Sequence, residues 1–340
     1  MIKGISADTR NKIANASFIC TCLIVMHHIP VGSDKSGLYG VLLNLKPISN
    51  VAVPFFFLVS GFLLVGHSDE SGWWKAALRK RVRTLLVPYL VVNAIYFPLM
   101  WLYHNMPGAA FHSEMAYEFS FVNFLAALGL VLPQNPACGP LWYVRMLMML
   151  VVVSPLIVYV VRKSQAWALL LVMLVALNYF FEPIGIKDEV FGSRGIFFFT
   201  VGICLRTYGL PSVSKAVAAL AGMACCACVW TLQAVELPYV ARCALVYATP
   251  ISGLVALWGL VPGQRWPTWL TSCSFAIYCF HMLVIFGYKA ASKVAHCYDW
   301  LITPVGFVAC VLLPVALCCI FYNYVSSKMP RAATLLFGGR

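Results

Sequence analysis

Long apolar runs follow one another along almost the whole chain, and the polar residues between them are few and clustered. A helix rises about 1.5 Å per residue and the hydrocarbon core of a bilayer is about 30 Å thick, so roughly 20 mostly apolar residues make one crossing. Windows of that length predict spans near Ile13–Val31, Pro47–Gly66, Thr84–His104, Leu141–Val161 and Ala166–Phe181. Five more are predicted near Val190–Leu205, Ala216–Gln233, Tyr239–Val261, Ser272–Ala291 and Thr303–Val325. The predicted fold class is all-α, a polytopic integral membrane protein with about ten transmembrane helices. Phe121–Leu132 is also apolar but too short to cross. It predicts a re-entrant or interfacial piece within the longest loop, Asn105–Pro140, and promoting it to a crossing would reverse every later helix.

Composition leaves little room for anything else. Of the 340 residues, 62% are hydrophobic and 10% charged, and the mean hydropathy is +0.85. A soluble domain of that size needs far more polar surface. Residues 1–340 therefore read as a single transmembrane domain with no separate soluble domain. The net charge of +13 comes from basic residues scattered through apolar sequence, without an aromatic–basic nucleic-acid motif, so no nucleic-acid partner is expected. The charge reads instead as the excess of Lys and Arg that membrane proteins keep in cytoplasmic loops. With the N-terminus inside, Lys3, Arg10, Lys12, Lys75, Arg79, Lys80, Arg81, Arg83, Arg162, Lys163, Arg206, Lys215, Arg265, Lys328, Arg331 and Arg340 are all cytoplasmic. Lys35, Lys46, Lys187, Arg242, Lys289 and Lys293 stay outside, and Asn105–Pro140 holds no Lys or Arg. This predicts cytoplasmic N- and C-termini and a multi-pass protein of the cell's inner or plasma membrane, with lipid as a constant partner.

The fourteen cysteines show no paired CxxC metal spacing, and most lie inside apolar runs, where a thiol acts as a small hydrophobe. Cys138 and Cys297 fall in predicted outer loops at positions open to pairing. The first apolar run carries His27 and His28 and is followed by no small-residue cleavage site, so it reads as a retained helix. There is no Walker A sequence, no H-E-x-x-H helix and no potassium-filter sequence, and no metal site is expected.

Polar interruptions within the spans carry the candidate chemistry, because ionisable groups are costly there and face a cavity or the bundle interior. His27 and His28 lie near the outer end of the first span, and His281 is mid-way along the ninth. Imidazole titrates near neutral pH and suits a general base, while a structural role in an inter-helix hydrogen bond is the alternative for each. Adjacent residues stand about 100° apart on a helix, so only one of His27 and His28 is expected to face the core. Arg145 is embedded in the fourth span and needs an anion or a cavity. Arg194 opens the sixth and can snorkel. Arg79, Lys80, Arg81 and Arg83 put four positive charges in five residues at the mouth of the third span, suited to phosphate or to anionic lipid. Ser60-Gly61 in the second span reads as a small-residue helix contact, with no G-x-S-x-G elbow to make Ser60 a nucleophile.

Six segments in order resemble the membrane-bound acyltransferase 3 family. They are Val25-Met26-His27-His28; Pro54 to Leu63 with its Phe-Phe-x-x-x-Ser-Gly-Phe core; Lys80-Arg81-Val82-Arg83-Thr84-Leu85-Leu86-Val87-Pro88-Tyr89; Gly139-Pro140-Leu141-Trp142-Tyr143-Val144-Arg145; Arg194 with Phe197-Phe198-Phe199-Thr200-Val201-Gly202; and Ser274-Phe275-Ala276-Ile277-Tyr278-Cys279-Phe280-His281. The resemblance runs from the first helix to the last. It implies roughly ten transmembrane helices and transfer of an acyl group, usually acetyl, from cytoplasmic acyl-CoA to a hydroxyl of an envelope or exported glycan. It also implies a catalytic first-helix histidine and CoA binding by the basic stretch before the third span. Two departures stand out. Ala16 and Ser17 occupy the positions where many members carry an arginine eleven residues before that histidine, and the common Arg-x-x-Arg reads Lys80-x-x-Arg83.

The expected mechanism has acyl-CoA phosphates on Arg79, Lys80, Arg81 and Arg83, and His27 or His28 as base toward the acceptor hydroxyl. Arg145, Arg194 or Ser60 would stabilise the oxyanion, and an acyl-imidazole intermediate is a second route. A transporter or flippase for a lipid-linked or small anionic solute is the alternative, but the chain shows no matched halves with broken helices. A sensory or binding subunit with structural histidines is a third reading.

Overall fold

The computed structural model describes residues 4–30, 37–68, 70–105, 119–130, 136–181 and 192–339. Among these residues every regular element is helical: α1 (Ala7–His28), α2 (Gly37–Leu45), α3 (Ala52–Leu64), α4 (Trp73–Arg81), α5 (Val87–His104), α6 (Phe121–Ala127), α7 (Trp142–Lys163), α8 (Gln165–Phe181), α9 (Ser193–Tyr208), α10 (Lys215–Ala234), α11 (Tyr239–Leu260), α12 (Thr268–Thr271), α13 (Ser274–Val294), α14 (Pro304–Lys328) and α15 (Pro330–Phe337). Each of the ten predicted spans overlaps helical structure among the described residues. Seven stretches are long and apolar enough to cross a membrane: Gly37–Leu64, Trp73–Tyr103, Gly139–Lys163, α10, α11, α13 and α14. The protein is thus a multi-pass helical membrane protein. α1 has the length, but Asn11, Asn15, Ser17 and Thr21 interrupt it; α8 and α9 are 17 and 16 residues long.

The second span is longer than predicted. Helical structure starts at Gly37 and passes through the 3₁₀ segment Lys46–Val51 into α3. α2 buries Tyr39 and Leu43 in a small separate cluster with Ile29, Leu301, Phe307 and Cys310. In the third span, Val82–Leu86 winds as a π-helical turn between α4 and α5. Such turns interrupt the α-helical register and recur at functional sites. Here the turn overlaps the basic cluster, and the C-terminal α15 packs beside it. Phe337 is enclosed by Phe280, Phe321 and Tyr322, and a side chain at Gly338 would strike the Thr84 carbonyl.

α3 and α9 lie parallel and nearly backbone to backbone. A Cβ on Gly61 would collide with the Phe199 carbonyl, and one on Gly202 with the Leu58 carbonyl. Only glycine permits that approach, which is how small residues drive helix association in lipid. α10 and α11 form an antiparallel hairpin through Gly222, Gly253 and Gly259.

The short apolar segment does not cross. Phe119 packs on Phe97 and Trp101 at ring distances of 5.2 and 5.6 Å, and Phe124 on Phe97 at 5.5 Å. Deeper along α5, the Tyr89 hydroxyl donates to the Leu128 carbonyl at 2.8 Å. The chain then returns, with the Cys138 amide donating to Asn93 Oδ1 at 2.9 Å. Trp101 and Tyr89 are about 18 Å apart along a helix. The segment thus runs along α5 from the level of Trp101 to that of Tyr89 and turns at Gly129 (φ 67°), a path that agrees with the re-entrant alternative. Residues 131 and 132 of the predicted piece lie outside the described residues. Cys138 and Cys297 do not pair; Cys138 is buried and Cys297 exposed, both as free thiols.

The segments that charge assigns to one side are tied to one another. Asn15 donates to the carbonyls of Pro262 and Gln264 at 3.0 and 2.8 Å. Arg162 donates to the Ser68 carbonyl at 3.2 Å and to its hydroxyl at 2.5 Å. The Tyr208 hydroxyl donates to the Val161 carbonyl at 2.5 Å.

Candidate active site

α1 stops at His28 because Pro30 disfavours helical backbone at the residue before it; Ile29 is extended, with φ −64° and ψ 154°. The two histidines therefore occupy a free helix end. A cavity of about 420 Å³ curls round that end, and its wall includes both His27 and His28. The two are not placed alike: His27 is exposed at the free end, while His28 is half-buried and turned toward the bundle interior. His27 Nδ1 lies 2.9 Å from Ser49 Oγ in the 3₁₀ segment before α3. The His27 and His28 rings are 5.2 Å apart at 82°. Beside them, Lys46 Nζ donates to the Ile29 carbonyl at 3.2 Å.

His281 stands behind His28, with ring centroids 5.3 Å apart. It is fully buried and is not part of the cavity wall. Its helix is held in register by Tyr96, whose hydroxyl donates to the Cys279 carbonyl at 2.9 Å, and by Tyr278, whose hydroxyl donates to the Pro140 carbonyl.

Four aromatic side chains, Phe57, Trp142, Phe198 and Tyr278, also line the cavity. Arg194, exposed in the first turn of α9, also borders it. Of the three oxyanion candidates, Arg194 alone lines this cavity. Ser60 Oγ is 3.1 Å from the Tyr143 hydroxyl, and its neighbour Gly61 makes the helix contact that the sequence suggests. Arg145 Nη1 reaches the Gly129 carbonyl at 3.5 Å. There the embedded arginine meets a backbone dipole.

Arg79, Lys80 and Arg83 are exposed, and Arg81 is half-buried. Asp8 is taken up by its own ion pair with Lys12, and no described carboxylate neutralises these four cations. Arg81 lies within electrostatic range of the Tyr143 phenol. The Tyr143 ring is 4.6 Å from Phe57 and 6.1 Å from Tyr278, both in the cavity wall. Tyr143 thus lies near Arg81 of the basic cluster and against two residues of the cavity wall.

Trp142, Tyr143 and Tyr278 fall within the sequence motifs without a predicted role; their positions beside Arg145 and His281 are the signal the sequence offers. Ser49 carried none, since a serine before a span is unremarkable until the fold sets it against His27. Ala16 is buried in the wall of a second, almost wholly apolar cavity.

The described residues thus make a multi-pass helical bundle with two adjacent imidazoles in the wall of one cavity. The chain belongs to the acyltransferase 3 family: the family's acyltransferase domain matches residues 16–323. It is similar to the succinoglycan biosynthesis protein ExoH of Rhizobium meliloti (strain 1021), with 24% identity over 201 residues. That match covers 55% of this chain and 51% of ExoH, so the chain spans about half the length of this curated relative. No solved structure matches it.

Proposed function

We propose that this protein transfers an acyl group, acetyl by family resemblance, from cytoplasmic acyl-CoA to a hydroxyl of a cell-envelope or exported glycan. The observation that carries the reading is the cavity shared by His27, His28 and Arg194, with Tyr143 lying near both its wall and a basic cluster without described counter-charge. ExoH, named for succinoglycan biosynthesis, supports a polysaccharide acceptor. The aromatic wall suits sugar rings, whose apolar faces pack on such side chains.

In this reading the CoA phosphates rest on Arg79, Lys80, Arg81 and Arg83, and the pantetheine arm passes Tyr143 to the cavity. A histidine takes the hydroxyl proton as the oxygen attacks the thioester carbonyl. Arg194 stabilises the oxyanion. The carbon–sulfur bond then breaks, and the proton passes to the departing thiolate. Radiolabelled acetyl-CoA added to membranes holding the protein should label a glycan. Arg81→Gln with Arg83→Gln should raise the half-saturating acetyl-CoA concentration by about ten-fold or more, because each charge-assisted phosphate contact is worth about 1.5–3 kcal/mol. An unchanged acetyl-CoA dependence would remove these residues from the donor site.

The reading includes ten crossings in the inner or plasma membrane, with both ends cytoplasmic. The ties among Ser68, Arg162, Tyr208, Asn15 and Gln264 support that grouping. Cys297 is exposed in a predicted outer loop. A membrane-impermeant maleimide should label it on intact cells, and Cys297→Ser should lose that label. Labelling that appears only after permeabilisation would reverse the orientation.

A further inference from the structure

His281 holds a buried nitrogen that the bundle leaves unsatisfied. Its Nδ1 faces two carbonyl oxygens, those of Ile277 at 2.9 Å and Tyr278 at 3.0 Å. Carbonyls only accept, so Nδ1 carries the proton, and in the neutral ring Nε2 is left as a bare acceptor. Nε2 is buried and has no hydrogen-bond partner among the described residues. Buried polar atoms in native proteins are rarely left that way, and such an exception points to a strained or catalytic role. The neighbouring ring that can supply a donor is His28, with its centroid 5.3 Å away. Two imidazoles joined by an N–H···N bond have centroids roughly 5 Å apart, so a small rotation of His28 completes the bond.

We propose that His281 is a positioning residue that selects His28, not His27, as the base. The inference rests on the acyl-transfer reading above. His281 Nε2 accepts an N–H from His28, which leaves the other His28 nitrogen unprotonated and turned to the cavity. That nitrogen takes the proton of the acceptor hydroxyl as the new carbon–oxygen bond forms. The proton leaves on the CoA sulfur as the carbon–sulfur bond breaks. His281 exchanges no proton and touches no substrate. His27, already engaged through Nδ1 by Ser49, lines the cavity beside the base.

The test uses membranes holding the full chain and radiolabelled acetyl-CoA, with transfer to glycan normalised to protein that elutes as a single species in detergent. His281→Leu should lower the maximal rate about 30-fold or more, with the half-saturating acetyl-CoA concentration within two-fold of wild type. His281→Gln offers Oε1 as an acceptor near the Nε2 position and should stay within five-fold. His28→Ala should lose more activity than His27→Ala. A His281→Leu protein within three-fold of wild type overturns the proposal. So does a Gln variant as impaired as the Leu variant, or a greater loss in His27→Ala than in His28→Ala. A wild-type protein that labels no glycan overturns the acyl-transfer reading itself, and the proposal with it.

Discussion

Replacing His27 and His28 together by alanine is expected to lower acyl transfer by about 10²- to 10⁴-fold, the range that a positioned general base contributes. Both rings reach the same cavity, so the double variant leaves no imidazole on the wall whichever of the two is the base. The protein should stay folded. α1 is anchored elsewhere, by Asn15 on the Pro262 and Gln264 carbonyls and by the packing of Ala16, Cys20, Ile24 and Val25 in the main core. The His27 contact to Ser49 is partly exposed and contributes little by comparison. Transfer of label from acetyl-CoA to glycan, read beside the elution profile in detergent, separates loss of chemistry from loss of fold. Full activity in the double variant would refute the histidine mechanism.

Most of the fold is legible in the sequence because lipid imposes one rule on every spanning helix, about 20 apolar residues without a break. Depth is not covered by that rule. Phe121–Leu132 reads as apolar and short, and only Tyr89, Asn93 and Arg145 on neighbouring helices fix it as a descending turn. The π turn at Val82–Leu86 leaves no mark in hydropathy, since it changes winding and not composition. The site is legible to the extent that cost is legible. His27, His28, His281 and Arg194 all interrupt apolar sequence, and the fold gathers them at one place. Arg145 and Ser60 give the same signal yet satisfy themselves elsewhere, on a carbonyl and a tyrosine. A polar residue in an apolar run announces that it has a partner, but the neighbouring helix chooses which. Ser49 and the aromatic wall are silent because residues of their kind are common in spans.

The largest effect on stability is expected at Gly202. A side chain there meets the Leu58 carbonyl, and the reciprocal one at Gly61 meets the Phe199 carbonyl. Both obstacles are backbone atoms of α-helices, which cannot swing aside as a side-chain tip would, so the helices must part. Gly202→Ala should cost about 1–3 kcal/mol, as overpacking does in close-packed interiors. Gly202→Leu should prevent the pair from forming and yield aggregated or degraded protein. A methyl group added at Gly287 on α13 would meet nothing within 4 Å, and Gly287→Ala should change stability little, within the few tenths of a kcal/mol typical of open sites. Thermal unfolding in detergent, followed by size-exclusion fluorescence, ranks the three variants. A Gly202→Leu protein with wild-type melting would refute the backbone contact. The same substitution reaches function, because α9 carries Arg194 and Phe198 and α3 carries Phe57. Parting α3 from α9 moves the guanidinium away from the histidines, so Gly202→Ala should lose activity out of proportion to its loss of folded protein.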